Sequence, residues 1–236
     1  MTLPTGFLIP IFWVLSSLGF LFNPSPAPNL LPSSDARSVG IWKELTKGEL
    51  SPPSLPVLEL ALNGYAQLQD KLKKPLLTVI DYSLPSTQKR LWIIDLAQQK
   101  ILLHTLVAHG RNSGGLRAEK FSNRPESYQS SLGFFKTGEA YQGKHGYSLR
   151  LDGLEAGIND QARARAIVIH GADYAKETVA ATAGRLGRSL GCPAVPPDHS
   201  TPLIKLIKEG SLLFIYGKDP NYLRMPKFWS QTLPAQ

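Results

Sequence analysis

The chain has a single cysteine, Cys192, in the run Gly187-Arg188-Ser189-Leu190-Gly191-Cys192-Pro193-Ala194, and a histidine upstream of it in the pair His170-Gly171. A lone thiol makes no internal disulfide and no cysteine-rich metal site, so it is an inert small hydrophobe or a nucleophile. Glycine before it and proline after it predict an exposed turn. His170 ends the apolar run Ala166 to Ile169 and is a base suited to activating that thiol. Together they predict Cys/His acyl transfer.

In a strand alternate residues share a face, which puts His170 with Val168 and Ala166. Gly171 would let the chain turn away and leave the imidazole at a strand end. The excursion to Cys192 carries Gly184, Gly187 and Gly191, so backbone can approach a substrate closely. Arg185 and Arg188 could lower the thiol pKa or hold a carboxylate. Backbone N–H groups of the turn Ser189, Leu190, Gly191 and Cys192 would stabilise a tetrahedral oxyanion.

Other polar residues carry weaker signals. His109, in His109-Gly110-Arg111, would line the cleft or sit in an exposed turn, and Tyr141 with the turn Gly143-Lys144-His145-Gly146 is a second substrate-binding candidate. Arg163 and Arg165 alternate with alanines and read as a solvated face. His104 and His109 stand at an odd spacing that would put them on opposite strand faces. There is no His-Glu-x-x-His and no carboxylate cluster, so neither a catalytic metal nor a cofactor is expected.

The elements that must position these groups are mostly strands. Short runs rich in branched residues predict strands over Leu76 to Tyr82, Arg90 to Leu96, Lys100 to Ala108, Gly133 to Thr137, Tyr147 to Leu151, Ala166 to His170 and Ser211 to Tyr216. Asp95 to Lys100 would join the second and third as a hairpin. Helical spacing of Leu55, Leu58, Leu62, Tyr65 and Leu68 predicts a surface helix over 55–72, stopped by Pro75. A shorter amphipathic piece lies around Val39 to Leu45, and a second helix is expected over Thr201 to Lys208. The polar stretch Gly110 to Ser130 reads as a long functional loop. The fold class is mainly β with a few helices.

With 26 Lys and Arg against 18 Asp and Glu, the net charge of +8 points to anionic surroundings such as a cell-wall polymer or a lipid surface. The basic residues are scattered and match no nucleic-acid motif, which argues against nucleic acid. Residues 1–34 carry no charged side chain, and Phe7 to Phe22 is apolar before the Pro-rich spacer at Asn23 to Pro28. That pattern reads as an export signal, or as an N-terminal membrane tether, more than as a full spanning helix. The expected organisation is 1–34 signal or anchor, 35–74 lead-in and amphipathic helix, 75–220 catalytic domain, and 221–236 tail.

His-Gly followed by Ser-x-Gly-Cys resembles the catalytic signature of YkuD-type L,D-transpeptidases, and Ser130-Ser131-Leu132-Gly133-Phe134-Phe135 resembles a segment that precedes it. Further stretches are similar to the YkuD-like 2 subfamily. They are Arg90 to Leu96, Val107 to Arg111, Gln129 to Phe134, Ser148 to Glu155 and Gly187 to Ser189; the resemblance covers roughly residues 76–217. It implies a β-sandwich-like catalytic domain in the periplasm or cell envelope of a bacterium, with peptidoglycan stem peptides as partners. Cys192 would attack the carbonyl of stem residue three, D-alanine would leave, and an amine would take the thioester's acyl group. His170 would move the protons, its other nitrogen held by the carbonyl of Gly171. Where the common motif reads Ser-His-Gly-Cys this chain has Leu190, and Pro193-Ala194 stands where Arg or Asn is usual. Hydrolysis of the same thioester, by an L,D-carboxypeptidase or endopeptidase, and a non-catalytic wall-binding module are the competing readings. A cysteine protease is disfavoured because no protease motif supplies an Asn or Asp to orient the histidine.

Overall fold

The computed structural model describes residues 36–225, together with Met1. The signal-or-anchor expectation for 1–34 and most of the tail lie outside the described residues. No described helix is long and apolar enough to cross a membrane.

Among the described residues eight strands form one hydrogen-bonded sheet: β1 (Leu76–Asp81), β2 (Leu91–Asp95), β3 (Lys100–Thr105), β4 (Gly133–Gly143), β5 (Gly146–Gly153), β6 (Val168–Gly171), β7 (Ala194–Val195) and β8 (Leu212–Tyr216). Their order is β3-β2-β1-β8-β4-β5-β6-β7. β1 runs parallel to β8 and β6 parallel to β7; the other neighbours are antiparallel. The apolar runs of β1 and β8 are buried at every position, as central strands covered on both sides must be. The β2–β3 hairpin closes where its sequence predicts, with the Asp95 carboxylate accepting from the N–H groups of Ala97 and Gln98.

Helix α1 (Ala36–Leu45) packs on α2 (Leu55–Leu68), and α2 lies on β1 and β8. A side chain at Gly64 would put its Cβ 2.0 Å from the Phe134 ring, so α2 sits directly on β4 through a glycine. Phe134 in turn stacks on Phe214, centroids 4.5 Å apart, and α2 and the sheet share one apolar core. Short helices follow at α3 (Glu177–Ala183), α4 (Pro197–Ile207) and α5 (Pro220–Leu223).

Several boundaries differ from the sequence reading. Helix α2 ends at Leu68, and a 3₁₀ turn takes Gln69–Lys71. Strands β4 and β5 run on to a hairpin turn at 143–146, longer than the apolar runs suggested, because partly exposed polar residues carry the outer half of the ladder. Ala166 has φ of 52°, so β6 begins only at Val168. Gly171 does not turn the chain away. It stays in β6 paired with Val195, and its missing side chain admits α4, since a Cβ there would lie 2.7 Å from Ser200 Oγ. The two-residue β7 and the seven-residue α3 are too short for periodicity to reveal.

Candidate active site

The register of three strands brings the sequence candidates together. His170 in β6 pairs with Ser148 of β5 on one side and with Ala194 of β7 on the other. Its backbone N–H also donates to the carbonyl of Pro193 at 3.4 Å, so the cysteine turn is laced to the histidine strand by backbone bonds. The second seam is the β-bridge between Gly110 and Ser189, where Ser189 N–H donates to His109 O at 3.0 Å and Arg111 N–H donates to Ser189 O at 2.8 Å.

Cys192 and His170 open into one cleft of about 320 Å³, lined also by Tyr141, Lys144, His145, Arg165, Ala166, Val168, Tyr174, Arg188, Ser189 and Leu190. The Cys192 Sγ receives the Val168 N–H at 3.5 Å and faces the Ala166 carbonyl at 3.6 Å. His170 Nδ1 lies 2.9 Å from the Gly171 carbonyl. A carbonyl only accepts, so Nδ1 carries the proton and Nε2 is left with its lone pair. Burial pushes the Cys192 thiol up, against the Val168 hydrogen bond and the charges of Arg165 and Lys144. Burial also pushes His170 down, assisted by His145 and Lys144 and opposed by the Gly171 bond. The resting pair is therefore neutral thiol and neutral imidazole.

The turn before the cysteine supplies donors, though fewer than its length offers. Ser189 N–H is taken by His109 O, and Gly191 N–H is taken by Ser189 Oγ at 3.1 Å. Neither can serve an oxyanion while those bonds hold. The N–H groups of Leu190 and Cys192 have no acceptor among the described residues. The Ser189 hydroxyl meanwhile donates to Cys192 O at 2.6 Å and tightens the turn. Gly191 adopts φ of 126°, and a Cβ there would lie 2.9 Å from Gln129 O, so only glycine passes without strain.

The remaining candidates divide. Arg188 lines the cleft and donates to the carbonyls of Gly114 and Arg111. Tyr141 lines it under the Arg150 guanidinium, 4.3 Å from its ring. Leu190 stands at the rim, 54% exposed. Arg185 does not line the cleft; its guanidinium donates to the neighbouring Leu186 carbonyl. His109 does not line it either. It is buried with Nδ1 accepting from Arg90 at 2.9 Å and Nε2 donating to Gly114 O at 3.2 Å, and burial with the Arg90 charge lowers its pKa to about 4.

Arg165 is no solvated residue. Its guanidinium turns inward and donates to Ser122 O, Ser131 Oγ, Gln129 O and Ser127 Oγ, holding the loop beside the cleft. Arg163 alone keeps the exposed face, paired with Asp152 and Glu139. Both arginines lie in a run of turns, with Arg165 N–H donating to Gln161 O at 2.8 Å and Ala166 N–H to Arg163 O at 3.0 Å, so no strand alternation puts them on one face. Tyr174 has no signal in the sequence. It reaches the cleft because Gly187 leaves room for its ring, a Cβ there falling 2.4 Å from Tyr174 Cβ. Among the described residues no cluster of three metal-ligating side chains occurs.

Residues 51–216 match the YkuD_2 family, the L,D-transpeptidase catalytic domain. No curated protein matches the chain. Among solved structures it is similar to an L,D-transpeptidase from Mycobacterium smegmatis, with 13% identity and a TM-score of 0.37 over 61% of this chain and 59% of that one. The chain thus spans less than two-thirds of that relative's length. An L,D-transpeptidase (Yku) from Stackebrandtia nassauensis is 15% identical, with a TM-score of 0.37 over 77% and 76% of the two chains. The helical cell shape determining protein Pgp2 from Campylobacter jejuni is 12% identical, with a TM-score of 0.41 over 65% and 53%. The chain belongs to the YkuD_2 family of L,D-transpeptidase catalytic domains.

Proposed function

We propose that this chain is a cysteine-dependent L,D-transpeptidase of the bacterial cell wall, acting on peptidoglycan stem peptides. The observation that carries the reading is the convergence of Cys192 and His170 in one cleft, with Nδ1 of the histidine already held by Gly171. His170 Nε2 takes the thiol proton as Sγ attacks the carbonyl of stem residue three. The oxyanion sits on the N–H groups of Leu190 and Cys192. The imidazolium returns the proton to the departing D-alanine amine, and a thioester remains. An amine of a neighbouring stem then attacks, His170 accepts its proton, and the thiol is restored. The cleft offers Lys144, Arg165 and Arg188 and no carboxylate, a lining suited to a substrate bearing free carboxylates.

The same reading places the enzyme in the periplasm or cell envelope, with 1–34 as the export or tethering segment ahead of the catalytic domain. It is tested by incubating residues 35–236, and the Cys192→Ala variant, with disaccharide-tetrapeptide and analysing the products by mass spectrometry. A cross-linked dimer lacking one D-alanine, absent with the variant, is the expected result. Tripeptide alone would reassign the chain to hydrolysis. No product, with an unreactive Cys192, would favour a wall-binding module.

A further inference from the structure

Of the two N–H groups left for an oxyanion, each belongs to a peptide unit whose carbonyl is held from outside the turn. A peptide unit is rigid and planar, so fixing the carbonyl of one residue aims the N–H of the next. The Leu190 N–H shares its peptide with Ser189 O, which accepts from Arg111 N–H at 2.8 Å. The Cys192 N–H shares its peptide with Gly191 O, which accepts from the Ser130 hydroxyl at 3.1 Å. Gly191, at φ of 126°, has the least conformational preference of any residue type, so its own backbone does not fix the next peptide.

We propose that Ser130 is a positioning residue that aims the Cys192 N–H at the oxyanion, resting on the reading of Cys192 as the nucleophile. Ser130 is 1% exposed, and each of its hydrogen-bonding groups is engaged. Its Oγ accepts from Gly110 N–H at 3.0 Å while donating to Gly191 O, its N–H donates to Ser113 Oγ at 2.9 Å, and its carbonyl accepts from Ser122 N–H at 3.0 Å. The hydroxyl thus spans the seam between the 108–110 segment and the cysteine turn. Gly110 permits that closeness, since a Cβ there would lie 2.9 Å from Gly191 Cα. Ser130 touches no substrate in this account; it acts through the Gly191–Cys192 peptide.

Two reactions of one thiol separate this role from a merely structural one. Acylation of Cys192 by an activated ester passes through an oxyanion, whereas alkylation by iodoacetamide displaces iodide at a saturated carbon and forms none. Ser130→Ala in the full chain is expected to slow acylation about 10- to 100-fold, a fraction of what loss of an oxyanion donor costs. Alkylation should stay within about two-fold of wild type, and Ser130→Thr, which keeps the hydroxyl, should recover most of the acylation rate. Should Ser130→Ala not fold, Ser113→Ala loosens Ser130 from its far side and should give the same selective loss, smaller in size. Acylation and alkylation falling together, or acylation unchanged in a folded variant, would overturn the proposal while leaving the nucleophile in place. A wild-type chain alkylated but never acylated at Cys192 would instead sink the reading on which it rests.

Discussion

The imidazole of His145 lies against that of His170, ring centroids 4.4 Å apart and planes 21° from parallel. The contact exists because the β4–β5 hairpin turn hangs over β6, where Ser148 pairs with His170. It adds a second titratable ring to the face of the base, beside Lys144. Both depress His170 in addition to burial, so each charge removed should let its pKa rise. The acid limb of acylation against pH reports His170 losing its proton. In Lys144→Met that limb should move to higher pH, and the Cys192 thiol should give up its proton at higher pH as well, because Lys144 supports the thiolate. An acid limb that stays in place or moves down would remove Lys144 from the electrostatics of the base.

The thiol itself should be sluggish. In the sequence Arg185 and Arg188 stand as candidates to lower the thiol pKa or to hold a carboxylate. Arg185 lies away from the cleft, and burial outweighs the support that Arg165 and Lys144 give. Alkylation of Cys192 at neutral pH is therefore expected to run slower than that of a free cysteine, and slower again in His170→Ala. Faster alkylation than the free thiol would mean a preformed thiolate. Equal rates in wild type and His170→Ala would contradict the pairing of the two residues.

The backbone of the turn predicts a steep cost for any side chain at Gly191. Gly191→Ala must hold a left-handed φ of 126° and bring Cβ to 2.9 Å from Gln129 O and 3.1 Å from Ile167 Cδ1. Strain of this kind costs about 1–3 kcal/mol, before the contacts are relieved. The expected outcome is a lower midpoint in urea and loss of acylation. A variant of wild-type stability and rate would show that the turn can relax without moving Cys192. Leu190→His is the contrast. Leu190 is 54% exposed, so this change should fall within about 0.5 kcal/mol of wild type.

What the sequence made legible follows from how local each signal is. The Cys192 turn, the strand ending in His170 and most β-runs are local patterns, and the structure keeps them with shifted ends. The turn carrying Lys144 and His145 is a candidate in the sequence, but its seat over His170 comes from strand register, and Tyr174 enters the cleft through a glycine remote in sequence; no local pattern encodes either. Arg165 departs from the solvated-face expectation because residues 156–166 are turns closed by long-range partners, not a strand with alternating faces. His109 departs from expectation for a different reason. A Gly-rich junction reads as an exposed loop, but here it is covered by the Arg90 side chain, itself fully buried and donating to Val107 O, Leu84 O and His109 Nδ1.

That burial gives the last prediction. His109 accepts from a permanent cation on Nδ1 and donates to Gly114 O, an arrangement that requires the neutral ring, and its pKa falls from 6.5 to about 4. In the unfolded chain the same histidine takes up a proton near its ordinary value. Between those limits the unfolded state binds more protons, so stability rises with pH, and the contribution present above the ordinary pKa is lost as pH falls toward 4. The size of the effect is on the order of 3 kcal/mol across that window. Since His109 O receives the Ser189 N–H, the loss should reach the cysteine turn first. His109→Asn has no such proton to gain, so it should be less stable than wild type at neutral pH yet lose less on acidification. Urea unfolding of both proteins at pH 7, 5.5 and 4.5 checks this. The stability difference between them should shrink as pH falls, and a constant difference would show that His109 does not titrate on unfolding.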